Sequence, residues 1–207
     1  FFTVAGVLVV HLLVVYPTLL ALLGRVSPRI FFRKMREPML LGFSTSSSGA
    51  TLPVTLETVE WRLGVRNEVA SFTVPLGATI NMDGTAIMQG VATVFIAQYY
   101  NVDLVLTDYL MVILTATMAS VGTAGVPGVG LIMLTMVLQQ VNLPAEGIML
   151  IIGVDRLLDM MRTTVNVTGD GMVATVVARS EGKLELERFA DPGAGLGRRP
   201  AAPSAAV

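Results

Sequence analysis

Six charged or polar side chains lie on one face of a helix predicted near the end of the chain. The segment DRLLDMMRTTVNVTGD runs from Asp155 to Asp170, and at about 100° per residue its polar groups share an arc of roughly 100°. One ionised residue at the centre of a membrane costs about 2.5–3.5 kcal/mol, so such residues mark partners, ions or ligands. A structural ion pair accounts for Asp159 and Arg162 but leaves the other two acids without a role. We therefore interpret this face as a binding surface. Its members are Asp155, Asp159, Arg162, Thr163, Asn166 and Asp170.

A second polar motif, NMDGT at Asn81–Thr85, interrupts an apolar stretch. Asn, Asp and Gly are poor residues for a helix interior, so the backbone is predicted to open here. Freed carbonyls and the side-chain oxygens of Asn81 and Asp83 are hard ligands, which suit Na⁺ better than a soft transition metal. The alternative is a glycine kink with Asp83 paired to a cation, but no Lys or Arg lies nearby in the sequence.

Two turn-forming stretches lie between short apolar segments. Ser44–Ser48 offers hydroxyls between two half-helices, and the N-terminus of a half-helix attracts a carboxylate. VGTAGVPGVG at Val121–Gly130 lets the backbone approach a ligand closely and gives hinge freedom. Either stretch alone is typical of an ordinary loop. Only the opposed pair favours a ligand site.

The composition is that of an integral membrane protein. Of the 207 residues, 53% are hydrophobic and 14% are charged, whereas a soluble domain carries about a quarter charged residues. The absence of Cys excludes disulfides and thiol chemistry, and a net charge of −1 argues against nucleic acid as a partner. The chain opens on Phe1 inside an apolar run, so we expect further helices upstream.

Charge and length together predict the membrane topology. About 20 apolar residues cross a bilayer, and basic loops face the cytoplasm. Two pairs of apolar segments are too short to cross and have ends of matching charge, so each pair is predicted to re-enter. The prediction is an all-α membrane protein with two opposed re-entrant hairpins and partly broken spanning helices, as in many transporters. The elements are a transmembrane helix at 1–24, hairpin 1 at 28–63, a broken transmembrane helix at 67–100, hairpin 2 at 104–141, the last transmembrane helix at 146–180 and a disordered cytoplasmic tail at 181–207.

Four motifs of this sequence resemble the dicarboxylate/amino acid:cation symporter family, which contains sodium-coupled glutamate and aspartate transporters. They occur in the same order as in that family. The resemblance covers roughly Phe1–Gly182. It implies a transport domain that moves like an elevator against a homotrimeric scaffold in the cell membrane, with lipid around it. The motifs are STSSSGATLP (Ser44–Pro53), PLGATINMDGTA (Pro75–Ala86), SVGTAGVPGVG (Ser120–Gly130) and DMMRTTVNVTGD (Asp159–Asp170).

The resemblance also implies a substrate site for an acidic amino acid. Arg162 would pair with the side-chain carboxylate of the substrate, and Asp159 would take its amino group. The first tip would hold a carboxylate. The further contacts implied are Ser46, Ser47, Ser48, Thr85, Val126, Gly130, Thr163 and Asn166.

Sodium ions would be co-transported, without an organic cofactor. Asp83 would belong to a sodium site whose other ligands lie on an earlier helix. His11 in the first span is expected to be a packed or interfacial residue. The two other sodium sites implied by the resemblance are Gly77, Asn81, Asn166 and Asp170, and Thr79, Met82, Ser120, Val121 and Thr123.

The sequence departs from the family at three positions. Some members carry a second Arg where this chain has Ser46, and others carry it where this chain has Met160. The charge balance around Arg162 therefore differs from both patterns. Gln89 stands where proton- and potassium-coupled members carry Glu, so no proton coupling through that position is predicted.

The same residues argue against several other functions. A C4-dicarboxylate has no ammonium group to neutralise Asp159. A neutral amino acid has no side-chain carboxylate to pair with Arg162. Both substrates are therefore disfavoured. Coupling to sodium and coupling to protons are both compatible with these motifs. An intramembrane aspartyl protease needs two carboxylates that share a proton, but Arg162 keeps Asp159 ionised. An ion channel needs a continuous polar lining. We expect a transporter and no enzyme.

Overall fold

The computed structural model describes residues 1–121 and 124–196, and these residues form helices with one isolated β-bridge. The all-α prediction is confirmed at this level. Short π-helical and 3-10 turns at Thr58–Arg62 and Ala145–Ile148 extend two of the helices. The helices, labelled in chain order, are α1 (Phe2–Gly24), α2 (Pro28–Lys34), α3 (Arg36–Thr45), α4 (Ser48–Glu57), α5 (Asn67–Ile80), α6 (Asp83–Tyr99), α7 (Leu106–Ser120), α8 (Val129–Gln140), α9 (Met149–Ser180) and α10 (Leu186–Ala190).

Helix α1 is the one helix in the described part that is long and apolar enough to cross a membrane by itself. Many of its apolar side chains are exposed, Phe2 at 87% and Leu22 at 69%. An exposed apolar surface of this kind is typical of a membrane or protein interaction site. A π-helical turn at His11–Val15 lies just before Pro17, whose ring nitrogen has no hydrogen to donate to the preceding turn.

Two helical hairpins meet at their tips. In the first, α3 ends at Thr45, and the following Ser46 is left-handed with φ 52°. Ser47 caps α4 by accepting a hydrogen bond from the amide of Ala50 at 3.1 Å. In the second, α7 and α8 are joined by a tip whose described part includes Gly125. The Gly125 carbonyl accepts the Ser47 hydroxyl at 2.6 Å and the Gly49 amide at 3.1 Å. The two tips are therefore in direct contact.

Helices α5 and α6 are separated by two residues of non-helical backbone. Asn81 has φ −94° and ψ 68°, and Met82 has φ −106° and ψ 48°. This break places the N-terminus of α6, with backbone amides that the helix itself leaves unpaired, beside the long helix α9. The amide of Gly84 there donates to the Asn166 side chain at 2.8 Å.

Helix α9 is the centre of the fold. Its 32 residues pack against α3, α4, α5 and α6, and most of its second half is buried. The buried part includes the polar face predicted from the sequence. Polar groups can be buried there because they pair with one another and with opened backbone.

The predicted disorder of 181–207 is wrong for its first part. Leu184 forms a β-bridge with Val65, the Glu185 amide donates to the Gly64 carbonyl at 2.8 Å, and α10 buries Phe189. The prediction rested on the low apolar content of the segment. A few side chains and backbone pairs nevertheless suffice to dock it. Residues 197–207 lie outside the described residues.

A buried lysine joins this segment to hairpin 1. Lys34 is fully buried, and its ammonium donates to the carbonyls of Arg62 at 2.5 Å and Arg188 at 2.7 Å. Burial lowers the pKa of Lys34 to about 8, because removal from water penalises the charged form. The amine therefore remains protonated at neutral pH and holds two chain segments that are far apart in sequence.

We expect Lys34→Met to release residues 183–191 from the body of the protein. The variant keeps apolar bulk but leaves the Arg62 and Arg188 carbonyls without their donor, and hydrogen bonds from charged groups contribute about 1.5–3 kcal/mol. Hydrogen exchange at the Glu185 and Phe189 amides should accelerate about 10-fold or more. The matched control is Arg33→Met, at an exposed position one residue earlier. Equal exchange in the two variants would rule out this role for Lys34.

Candidate functional site

Residues predicted to bind substrate surround one small cavity between the hairpin tips, the α5–α6 break and α9. The cavity has a volume of about 20 Å³, which is room for about one water molecule. Nine of the ten predicted substrate residues line it. They are Ser46, Ser48, Thr85, Val126, Gly130, Asp159, Arg162, Thr163 and Asn166.

The tenth, Ser47, does not line this cavity. Its hydroxyl is used by the Ala50 amide and the Gly125 carbonyl, so it caps a helix and joins the two tips. The neighbouring Ser46 hydroxyl is buried and has no hydrogen-bond partner among the described residues. An unpaired buried hydroxyl is costly, and this one is available to a ligand in the cavity.

Arg162 is the charged centre of the site and is only 2% exposed. Its Nε donates to Asp159 Oδ1 at 2.9 Å, and its Nη1 donates to Asp155 Oδ1 at 3.3 Å. Asp155, which sequence reasoning left without a role, is therefore the second acidic partner of the guanidinium. A buried cation between two carboxylates is held in a fixed orientation.

Asp159 also contacts the second hairpin. Its Oδ2 accepts the amide of Gly128 at 2.9 Å, and Gly128 adopts φ 81°, a conformation that favours glycine. A Cβ on Gly130 would lie 3.1 Å from the Arg162 guanidinium carbon. The second tip therefore lies directly over both charged side chains, and only glycine fits against Arg162 without a shift.

Asn166 connects α9 to the break between α5 and α6. Its Oδ1 accepts the Gly84 amide, and its Nδ2 approaches Met82 Sδ at 3.1 Å and Thr85 Oγ1 at 3.3 Å. All of these groups are buried. Both the Oδ1 and the Nδ2 of Asn166 are therefore hydrogen-bonded, and they hold the non-helical backbone between α5 and α6 against α9.

The first predicted sodium group is brought together by the fold. The Asp170 Oδ1 accepts the Asn81 side-chain amide at 3.1 Å, and a Cβ on Gly77 would lie 2.6 Å from that oxygen. Asn166 lies one helical turn before Asp170 on the same buried face. The Asp170 carboxylate is a hard oxygen ligand of the kind that suits Na⁺, and in this structure it is bonded to the Asn81 side-chain amide.

The second predicted sodium group is not joined by hydrogen bonds within the described residues. The Thr79 hydroxyl donates to the Leu76 carbonyl, and the Ser120 hydroxyl donates to the Thr117 carbonyl. Met82 is buried beside Asn166, whereas Val121 is exposed. Thr123 lies outside the described residues.

Asp83 has partners that sequence reasoning missed. The Tyr16 hydroxyl donates to Asp83 Oδ2 at 3.1 Å, and His11 Nε2 lies 3.2 Å from the same oxygen. His11 is packed against the Tyr16 ring, as expected, and in addition contacts Asp83, which the sequence did not predict. One signal was available, since His11 is the only histidine of the chain and lies within its first apolar run, and ionisable residues in a span mark functional partners.

The chain resembles known proteins over most of its length. It is 43% identical to excitatory amino acid transporter 1 of Rattus norvegicus over 175 residues, which cover 84% of this chain and 32% of the relative. It is 45% identical to excitatory amino acid transporter 3 of Mus musculus over 187 residues, 90% of this chain and 36% of the relative. The chain thus spans about a third of the length of the curated relatives it matches.

The family assignment rests on a longer match than any single motif. The profile of the sodium:dicarboxylate symporter family matches residues 1–180, which include all four sequence motifs and every residue of the cavity. The match ends where helix α9 ends. The chain therefore belongs to the sodium:dicarboxylate symporter family.

Proposed function

We propose that this chain is the substrate- and sodium-binding part of a secondary symporter for an acidic amino acid. The observation that carries the proposal is the pair Asp159 and Arg162 at one buried cavity. A guanidinium recognises a carboxylate, and a carboxylate recognises an ammonium. An amino acid with an acidic side chain offers both groups. Activity and substrate are proposals for the whole protein, since the chain spans about a third of the length of its relatives.

In this proposal the substrate replaces contacts that the protein makes with itself. Its side-chain carboxylate pairs with Arg162, and its ammonium competes with the Gly128 amide for Asp159. Ser46 and the start of α4 receive the other carboxylate, since a helix N-terminus and a free hydroxyl both favour an anion. Thr163 and Asn166 supply further polar contacts.

Substrate entry requires the hairpin tips to separate. A cavity of about 20 Å³ is too small for an amino acid, and the contact between Ser47 and Gly125 closes it on one side. The two hairpins are proposed as re-entrant gates on opposite faces, within a transport domain that moves like an elevator. In the homotrimer proposed for the full-length protein, the scaffold helices would provide the fixed part.

Sodium ions are proposed to bind at Asp170 with Asn81, Asn166 and the Gly77 carbonyl, at the Asp83 carboxylate, and at the site that combines Thr79 and Met82 with Ser120, Val121 and Thr123. The proximity of Asn81 and Gly77 to Asp170 supports the first of these. For the third, support comes only from the resemblance in sequence. The bound ions would be co-transported, and no organic cofactor is proposed.

We expect Asp170→Asn to weaken the sodium dependence of uptake. The substitution keeps the shape of the side chain but removes the negative charge that faces Asn81. The sodium concentration for half-maximal uptake should rise about 10-fold or more, as for loss of a charged partner worth about 1.5–3 kcal/mol. Thr168→Val is the matched control, because the buried Thr168 hydroxyl donates to the Thr164 carbonyl of its own helix. An unchanged sodium response would exclude Asp170 as a ligand.

Transport is favoured over catalysis by the arrangement of the aspartates. A protease of the aspartyl class needs two carboxylates close enough to share a proton. Here the Arg162 guanidinium lies between Asp155 and Asp159 and donates a hydrogen bond to each, an arrangement unlike that of two carboxylates that share a proton. We therefore propose no enzymatic reaction for this site.

The membrane is the location of the chain. Family membership supports a multi-pass protein of the cell membrane, and the apolar helix Phe2–Gly24 is long enough for one crossing. Exposed apolar side chains on α1 and α7, such as Leu13 at 61% and Leu106 at 74%, are proposed to contact lipid or the scaffold helices.

The deciding experiment measures uptake under separate gradients. A chimaera in which this chain replaces the matching segment of rat excitatory amino acid transporter 1, called the chimaeric transporter below, is reconstituted in proteoliposomes. We expect a sodium gradient alone to drive uptake of labelled aspartate. Uptake driven by a proton gradient alone would identify a proton-coupled carrier, and succinate uptake without aspartate uptake would identify a dicarboxylate carrier. No uptake under either gradient, with an active parent protein, would refute the proposal.

A further inference from the structure

Two side chains of α1 reach across to the N-terminus of α6. Tyr16 is fully buried, and its hydroxyl lies 3.1 Å from Asp83 Oδ2 and 3.1 Å from the Val165 carbonyl oxygen of α9. His11 approaches the same Asp83 oxygen, and its ring meets the Tyr16 ring edge to face at 4.7 Å between centroids. Asp83, which the sequence assigned to a sodium site, is thus in contact with two side chains of α1, one of which, Tyr16, also contacts α9.

The hydrogen bonds of the Asp83 carboxylate to described residues all use Oδ2. A phenol has one hydrogen and donates to one acceptor at a time, so it serves either the Asp83 carboxylate or the Val165 carbonyl. In the first case Oδ2 is fixed by the phenol and the imidazole. The other carboxylate oxygen, Oδ1, is then free of the restraint and available to a cation.

The Tyr16 hydroxyl also lies near the other sodium group. A Cβ built on Gly169 would be 2.5 Å from the Tyr16 hydroxyl oxygen and 2.5 Å from Asn81 Nδ2. Gly169 directly precedes Asp170, and Asn81 bonds Asp170. One phenol oxygen therefore stands between the Asp83 carboxylate and the Asn81–Asp170 pair. A side chain at position 169 would therefore displace the Tyr16 hydroxyl.

We propose that Tyr16 is a positioning residue for sodium binding at Asp83, a role that rests on the symport function proposed above. Its hydroxyl holds the Asp83 carboxylate in one orientation beside the backbone of α9. Without that bond the carboxylate can rotate towards water or towards His11 alone. Sodium must then order the carboxylate as it binds, and its apparent affinity falls.

The test is Tyr16→Phe in the chimaeric transporter, which carries the whole chain. Phenylalanine keeps the buried ring and its contact with His11 and removes only the hydroxyl. We expect the sodium concentration for half-maximal aspartate uptake to rise about 10-fold, as for one charge-assisted hydrogen bond. The maximal rate and the aspartate KM at saturating sodium should stay within about 2-fold. Thr18→Val is the matched control, since the exposed Thr18 hydroxyl donates to the Val14 carbonyl of α1.

The outcomes separate this proposal from the one it rests on. Wild-type chimaera without sodium-dependent uptake refutes the symport function itself. Sodium-dependent wild-type uptake with an unchanged sodium half-saturation in Tyr16→Phe overturns only the positioning role. A lower maximal rate or lower yield of folded protein, with the same sodium half-saturation, also overturns it, because that is the result of a purely structural tyrosine.

Discussion

Arg162→Ala is expected to abolish uptake of aspartate and glutamate while permitting some binding of a neutral amino acid. The side chain is buried, and it is the only cation that lines the cavity in the described part of the chain. Without it a substrate carboxylate would face Asp155 and Asp159 with no positive charge between them. Truncating one member of a buried charge pair costs about 2–5 kcal/mol, so acidic uptake should fall at least about 30-fold.

Two further variants make the Arg162 result specific. Arg156→Ala removes a cation from an exposed position of the same helix and should leave uptake near the wild-type rate. Arg162→Lys keeps the charge but loses the planar fork that reaches Asp155 and Asp159 together, so partial activity is expected. Labelled aspartate and serine uptake by the chimaeric transporter are the measurements. Wild-type aspartate uptake by Arg162→Ala would exclude the guanidinium as the carboxylate partner.

Gly84→Ala is expected to have the second largest effect, through packing and not through charge. A Cβ at Gly84 would lie 2.6 Å from the Arg162 carbonyl oxygen and 2.8 Å from the Arg162 Cα. Both are backbone atoms of α9, so neither can turn away as a flexible side chain can. The start of α6 must shift, which breaks the bond from the Gly84 amide to Asn166 and moves Arg162. Uptake should fall at least about 10-fold, since displacements of about 1 Å have such effects.

The same helix contains a matched control for this variant. A Cβ added at Gly90 would meet no atom of the described residues within 4 Å, and alanine is the better helix former there by about 1 kcal/mol. Gly90→Ala should therefore retain uptake and fold at least as well. Yield of the folded protein, measured with uptake, separates misfolding from a misplaced site. Normal uptake in Gly84→Ala would show that the close contact of α6 and α9 is not needed.

For the polar residues of α9, spacing within the helix was sufficient to predict which side chains lie together. Asp159, Arg162, Asn166 and Asp170 lie within one helix, and helical periodicity alone puts them on one face. Their mutual placement therefore needs no knowledge of neighbouring helices. The one predicted substrate residue that departs from the cavity, Ser47, lies at a turn, where a rotation of one residue redirects the side chain.

The docked segment 183–191 shows the opposite case. Its composition predicts disorder, because it has few large apolar residues. Its order depends on the buried ammonium of Lys34, 154 residues away from Arg188 in sequence, and on backbone pairing with Gly64 and Val65. Neither partner is visible within the segment itself.

The sequence by itself determined the membrane class, the family resemblance and the placement of Asp159 and Arg162 on one helix face, since all three follow from composition, from motifs or from spacing within one helix. Only the tertiary structure decided the second carboxylate on Arg162, the contact of Gly84 with the α9 backbone, and the reach of His11 and Tyr16 to Asp83. These depend on how side chains compete for one partner and on how closely two helices approach. Periodicity within one helix encodes neither the rotation of a neighbouring helix nor its distance.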